Sequence, residues 1–475
     1  MCFFARVFVS KIWVLFSIFT TMPGYFKILL KDILKRPSLY FFLFLIVFTM
    51  DRHHRYESTK GAEGTFYSDV KDYYMFLPNG FLRHDDSAKT EMSHNKRTIG
   101  MAILYTPAFA VGHVYARLSG QATDGYSLPY QWSIRWGSII YSLIGLWFLR
   151  RSLLMFFTEA VTAITIAGLI FGTNLFYYTY SWGELPHSYL FCLYAVFIFH
   201  TLQWLLHCKG RSLLWLAFLT GFITLVRPTG IVVLLFPLLW DVKSIHDIRA
   251  RIRFIFGRPA QLALPLLLFM LPLLAQMFCW YSLTGRPVYY SYGTERFFFN
   301  DPQIINFLLS YRKGWLVYTP IMLFALVGFL ISYWRARQFF WFNVIYFAVT
   351  VYVLSSWWEW SYGGSFGCRA LVESYSFFAF PFAAAVHGVW YVARQAVLKY
   401  TLRGVLLLVF YLLVQVNIIQ SLQCKYGILH WNGMNKQVYW YIFLKTDFSP
   451  TQYDTMNRMV KEPDYNKMIQ GDRDF

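Results

Sequence analysis

Residues 261–283 read QLALPLLLFMLPLLAQMFCWYSL, a run of 23 residues with no charged side chain. At a rise of 1.5 Å per residue, a helix of that length covers about 34 Å, enough for the roughly 30 Å hydrocarbon core of a bilayer. The segment before it, Lys243 to Arg258, is dense in arginine, whereas the segment after it, TGRPVYYSYGTERFFFND, mixes aromatic rings with both signs of charge. Basic residues stay on the cytoplasmic side, so this run is expected to leave the cytoplasm at its N-terminal end and emerge outside near residue 284.

Working outward from this run, apolar windows fall near 37–50, 132–149, 157–176, 188–206, 212–226, 229–240, 315–334, 338–355, 371–393 and 404–420. With 261–283 they predict an all-α polytopic membrane protein of eleven transmembrane helices. Lys31/Lys35/Arg36, Arg150/Arg151, Lys209/Arg211, Arg335/Arg337 and Arg394/Lys399/Arg403 all fall in the cytoplasmic register set by the 243–258 run. The first window is short at 14 residues, and the pair around Arg227-Pro228 reads equally as one broken helix. Residues 99–118 are apolar but interrupted by Pro107, Gly112, His113 and Arg117. Because a crossing there would reverse every later cluster, they are expected as a helix lying in the interface. The chain divides into a cytoplasmic or interfacial segment 1–36, a transmembrane domain 37–420 containing the outer loop 51–131, and an outer-face tail 421–475. Within 1–30, the stretch from Ile12 to Phe19 followed by Thr-Thr-Met-Pro-Gly lacks a small-residue cleavage site and reads as an interfacial helix or an uncleaved extra segment.

Composition agrees: 57% of the 475 residues are hydrophobic and 21% aromatic, with a mean hydropathy of +0.41. The formal charge of +19 sits in short clusters between apolar runs, which argues for membrane orientation and against a nucleic-acid partner. Six cysteines without a CxxC or Cys/His spacing indicate neither a zinc site nor a disulfide framework.

The predicted outer segments hold most of the unusual chemistry. In FYSDVKDYYMFLP, residues 66–78, Asp69 and Asp72 are three apart, one face of a helix that Tyr73, Tyr74 and Leu77 would anchor at the membrane interface. A solvated loop containing two acids is the plainer alternative. Trp182-Gly183-Glu184-Leu185-Pro186-His187 breaks the chain before a helix, leaving Glu184 and His187 able to hold a phosphate, a metal or a proton, or merely to cap a turn. Arg227, at its own break, is placed to fork onto a phosphate or to snorkel. In SSWWEWSYGGSFGCRALVESY, residues 355–375, Trp358 offers an apolar face to a sugar or a prenyl chain, Glu359 a carboxyl, and Arg369 a bidentate phosphate donor. Tyr292 adds a further ring, and Lys313 is placed to pair with a lipid phosphate or to cap the interface.

This layout, with a short cytoplasmic N-terminus, an acidic first outer loop, an acid/His site after the third span and no soluble catalytic domain, resembles the GT-C superfamily of membrane glycosyltransferases. It is most similar to bacterial relatives of protein O-mannosyltransferases and of the lipid A aminoarabinose transferase. The resemblance covers residues 37–420. It implies a polyprenyl-phosphate sugar donor, a lipid, glycan or protein acceptor, and a general base at Asp69 or Asp72. It further implies a carboxylate role for Glu184 and phosphate binding by Arg369 and Arg227. The usual adjacent Asp-Glu pair is replaced here by Asp69-Val-Lys-Asp72. No cofactor is expected, with a divalent metal left open at Asp69/Glu184/His187, and the setting implied is a bacterial inner membrane with the site facing the periplasm. A transporter or flippase of a lipid-linked saccharide, or a non-catalytic envelope assembly protein, are the rival classes. The clustering of charge at one face and the lack of repeated halves favour the enzyme over the transporter.

Overall fold

The computed structural model describes residues 31–57, 64–83, 85–257 and 259–473. The expectation for residues 1–30 therefore lies outside the described residues. The fold is all-helical, and among the described residues there is no strand, only an isolated bridge between Phe297 and Trp357. Each apolar window becomes helix: Pro37–Glu57, Leu128–Leu153, Glu159–Gly172, Pro186–His207, Gly210–Val226, Pro228–Leu234 running into Leu235–Leu239, Pro259–Thr284, Leu323–Arg335, Arg337–Ser355, Tyr375–Tyr391 and Ala396–Lys425.

Among the described residues four helices are long and apolar enough to cross a membrane: Pro186–His207, Leu262–Thr284, Arg337–Ser355 and Ala396–Lys425. The remaining windows fall short of that measure for visible reasons. Pro228 lacks an N–H donor, and the chain leaves helix at Arg227 (φ −145°) before tightening into a 3-10 turn, so the 212–240 region is two short pieces. The 128–153 helix is 26 residues long but carries Arg135, Arg150 and Arg151.

The Tyr375–Tyr391 helix is the axis of the bundle, buried from Tyr375 through Val386. It packs on Leu323–Arg335 so closely that a Cβ at Gly328 would lie 1.8 Å from the carbonyl oxygen of Pro381, so only glycine fits there. Pro259–Thr284 lies at the opposite extreme. It packs against Gly210–Val226 on one side and leaves Leu274, Phe278 and Tyr281 exposed on the other. The Gly100–Leu118 helix lies along Leu128–Leu153 with Pro107 in its interior.

The loops between these helices meet at one end. The boundary expected at 421 falls inside the last helix, which runs to Lys425, and the chain beyond it folds back over the loop end. Arg473 is fully buried there. It bonds to Asp301 at 2.7 Å and donates to the carbonyls of Ser355, Ser356 and Trp357, while its own carbonyl accepts from Trp360 Nε1 at 3.4 Å.

Candidate functional site

Ser68, with a left-handed φ of 52°, turns the chain into the short helix Asp69–Tyr74. Val70, Tyr73 and Tyr74 bury one side of that helix: Tyr74 stacks on Phe66 at 3.8 Å and its hydroxyl donates to the Gly125 carbonyl. The sequence places this anchoring at the membrane interface; the rings instead pack inside the protein, and Asp69 and Asp72 are left partly exposed. Asn95 Nδ2 donates to the Asp72 carbonyl at 2.6 Å, pinning the segment 95–97 alongside.

Asp69 joins three parts of the chain. Its Oδ1 accepts from Arg97 at 2.8 Å and its Oδ2 from Arg369 at 3.2 Å. Arg97 also stands over the Tyr73 ring at 5.2 Å and donates to the Tyr292 hydroxyl at 3.4 Å. The Nε groups of both Arg97 and Arg369 are buried with no partner among the described residues. Asp72 faces Arg97 and Glu359 faces Arg369, so the two guanidinium groups stand among several carboxylates. Burial pushes the Asp69 carboxyl up, but Arg369 and Arg97 together outweigh it and hold the group below the usual carboxylate range. Asp72, lacking such a clamp, is raised by burial.

Glu359 stands at the edge of the same site. Gly363, at φ 60°, lets the loop fold so tightly that a Cβ there would lie 2.9 Å from Glu359 Oε1. Burial pushes the Glu359 carboxyl up to about 6, against the opposing charge of Arg369 and with the support of Asp69 and Glu295. Trp358 is buried and donates its Nε1 to Glu295 at 3.1 Å, and Glu295 in turn pairs with Lys96.

The other expected residues are placed elsewhere. Glu184 and His187, read together from sequence, are separated. Glu184 pairs with Arg135 at 3.3 Å, both buried, whereas His187 Nδ1 lies 3.2 Å from Glu373 Oε2. Glu184 precedes the helix that begins at Pro186, whereas His187 lies in its first turn. Arg227 bonds the second oxygen of Glu373, so His187, Glu373 and Arg227 form a cluster of their own. Lys313 is only 2% exposed, and its Nζ donates to the carbonyls of Ser365 and Trp431, which places it inside the fold and not at a lipid phosphate. Burial pushes its amine down to about 7. Cys368 and Cys424 are both free thiols.

Among the described residues, no group of three or more His, Cys, Asp or Glu is placed to hold a metal ion, and Asp69, Glu184 and His187 each engage a different partner. No family model, curated protein or solved structure matches the chain.

Two residues escaped the sequence reading. Arg97, in Asn-Lys-Arg-Thr, looks like one more solvated cation, and only the fold brings it to Asp69, 28 positions earlier. Arg135 was absorbed into an apolar window, although an arginine inside such a window is itself a signal of a buried partner.

Proposed function

We propose that the chain is a membrane glycosyltransferase of the GT-C kind, crossing a bacterial inner membrane eleven times and moving a sugar from a polyprenyl-phosphate donor to an acceptor at the periplasmic face. The eleven helical segments described above, four of them long enough to cross alone, support that topology. The observation that carries the reading is the Arg97–Asp69–Arg369 clamp, with two unused Nε donors.

In the reaction an acceptor hydroxyl or amine attacks the anomeric carbon. Its new bond forms as the bond from that carbon to the phosphate oxygen breaks, and the phosphate departs with the electron pair. The departing group gains a full negative charge, which Arg97 and Arg369 are positioned to receive. The proton lost by the acceptor needs a carboxylate whose affinity for it is matched to neutral pH. Asp69, held low between two arginines, is suited to fixing them, whereas Glu359 at about 6 has the better-matched affinity. The proton is therefore assigned to Glu359, and Asp69 becomes a positioning residue. Rings near the clamp, Tyr292 and Trp357, pack 5.6 Å apart and line the approach for sugar or prenyl groups.

The test is transfer from a panel of polyprenyl-phosphate sugars by the purified protein in lipid discs, comparing wild type with Arg369→Ala, Asp69→Asn and Glu359→Gln. Loss of transfer of about 10²–10³-fold in Arg369→Ala is expected from the removal of one transition-state donor. Donor binding without turnover in wild type, unchanged by these substitutions, refutes the enzyme and favours a carrier.

A further inference from the structure

Glu359, the proton acceptor proposed above, is met by the C-terminal tail. Asp464 starts the short helix Tyr465–Gln470 there by accepting from the amides of Asn466 at 3.0 Å and Lys467 at 3.2 Å. Met468 is buried beneath this helix, and Gly471, at φ 108°, ends it so close to Phe298 that a Cβ would lie 3.0 Å from the ring. Tyr465 is thereby fixed at one end of the element and Arg473 just past the other. Arg473 holds the carbonyls of residues 355–357, and Tyr465 sets its ring 6.2 Å from that of Trp358. The loop 355–359 is thus gripped from both ends of one short stretch of tail.

The Tyr465 hydroxyl goes further than its ring. Asn432, fully buried, donates Nδ2 to the hydroxyl oxygen at 2.5 Å, which leaves the hydroxyl hydrogen for the bond that Tyr465 makes to Glu359. The other groups facing Glu359 come from several parts of the chain: Arg369, Arg312 and Lys313 are basic, and Asp69 and Glu295 acidic. Tyr465 differs from all of these in being a neutral donor. Burial and the charge of Glu359 push its hydroxyl up to about 12, so it keeps its proton through the range in which Glu359 ionises. A donor to a carboxylate favours the ionised form, and here it works against the effect of burial.

We infer that Tyr465 is a positioning residue for the proposed reaction: its hydroxyl holds the Glu359 carboxylate in place for the acceptor's proton, and the tail is thereby a working part of the site. The inference rests on the assignment of that proton to Glu359.

The test is the pH dependence of transfer by the full chain in lipid discs, beside an infrared titration of the same protein without substrates. In the titration, the carboxyl band that Glu359→Gln removes reports Glu359 directly. Tyr465→Phe keeps the ring on Trp358 and removes only the hydroxyl. Without its donor the carboxylate is harder to form, so both the limb expected near pH 6 and the midpoint of the band should move up by roughly 0.5–1 unit. Transfer at pH 6 should then fall about two- to fivefold, and the difference should nearly close by pH 8. Tyr453→Phe removes another tail hydroxyl, the one that donates to the Tyr426 carbonyl at 3.1 Å, and should leave limb and band in place. A limb and a midpoint that stay put in Tyr465→Phe overturn the inference, even where Glu359→Gln shows that transfer depends on Glu359. An equal loss of transfer at every pH, with the midpoint unmoved, marks a merely structural role and overturns it too. A midpoint that moves in Tyr465→Phe in a protein without transfer activity supports the hold on Glu359 and refutes the enzymatic reading alone.

Discussion

Two carboxylate–arginine clusters lie near the loop end of this protein, and they are built to opposite specifications. In the His187–Glu373–Arg227 cluster, Glu373 is 4% and Arg227 21% exposed, and each Glu373 oxygen has a partner. In the Arg97–Asp69–Arg369 cluster the side chains are 14–24% exposed, and both guanidinium groups keep an Nε donor without a partner. The first is complete as it stands, as a structural pair should be, because any unpaired charge in a buried site carries the full desolvation cost. The second keeps two donors unused, which is what the proposed phosphate contact needs. Charge content does not separate them; the balance of donors and acceptors does.

The comparison predicts opposite consequences of substitution. Glu373→Ala strands Arg227 without its buried partner and should lower unfolding stability by about 3–5 kcal/mol, read by thermal or denaturant unfolding in detergent. Arg369→Ala leaves Asp69 paired with Arg97 and should cost less than Glu373→Ala by the same measurement, while abolishing most transfer. If the two variants are equally unstable, the distinction between a structural and a ligand-binding cluster collapses.

A smaller effect sharpens the assignment within the open cluster. With Glu359 raised to about 6 from an ordinary 4.5, transfer should rise with pH through about 6 as this carboxyl ionises, and Glu359→Gln should abolish that limb. The accompanying stability runs the other way. The neutral acid is the form the fold favours, so its contribution is complete below 4.5 and is lost as pH rises through 6. An unchanged pH profile in Glu359→Gln returns the base to Asp69 or Asp72.

A separate effect concerns a cation inside the fold. Lys313 is lowered to about 7 from 10.5 by burial, so the folded state holds fewer protons than the unfolded one between those values. Stability should increase from about pH 7 upward, and Lys313→Met should remove that part of the slope in unfolding measured at pH 6.5 and 9. A slope that survives in Lys313→Met places the titration elsewhere.

The positions of the helices were legible because apolar runs and basic clusters obey the same one-dimensional rules that govern insertion. The 261–283 run and the break at Arg227-Pro228 both appear where the sequence puts them. The site was legible in part. Asp69 and Arg369 were singled out for their residue type and loop, and they meet, although 300 positions separate them. Glu184 and Lys313 were equally conspicuous by type, yet each is taken up by a buried partner that local sequence does not reveal. Arg97 and Tyr465 were invisible for the converse reason, since a loop arginine and a tail tyrosine acquire meaning only from what the fold brings beside them.

The burial of Arg473 bears on the order in which the protein is made. The loop carrying Trp358 and Glu359 is held through the carbonyls of residues 355–357 by a side chain more than a hundred positions later. During synthesis every helix of the bundle can be made while that loop is still unfastened. Helix formation and the fixing of this loop are thus separate events, and a nascent chain gains its fixed loop only after residue 473 has been added.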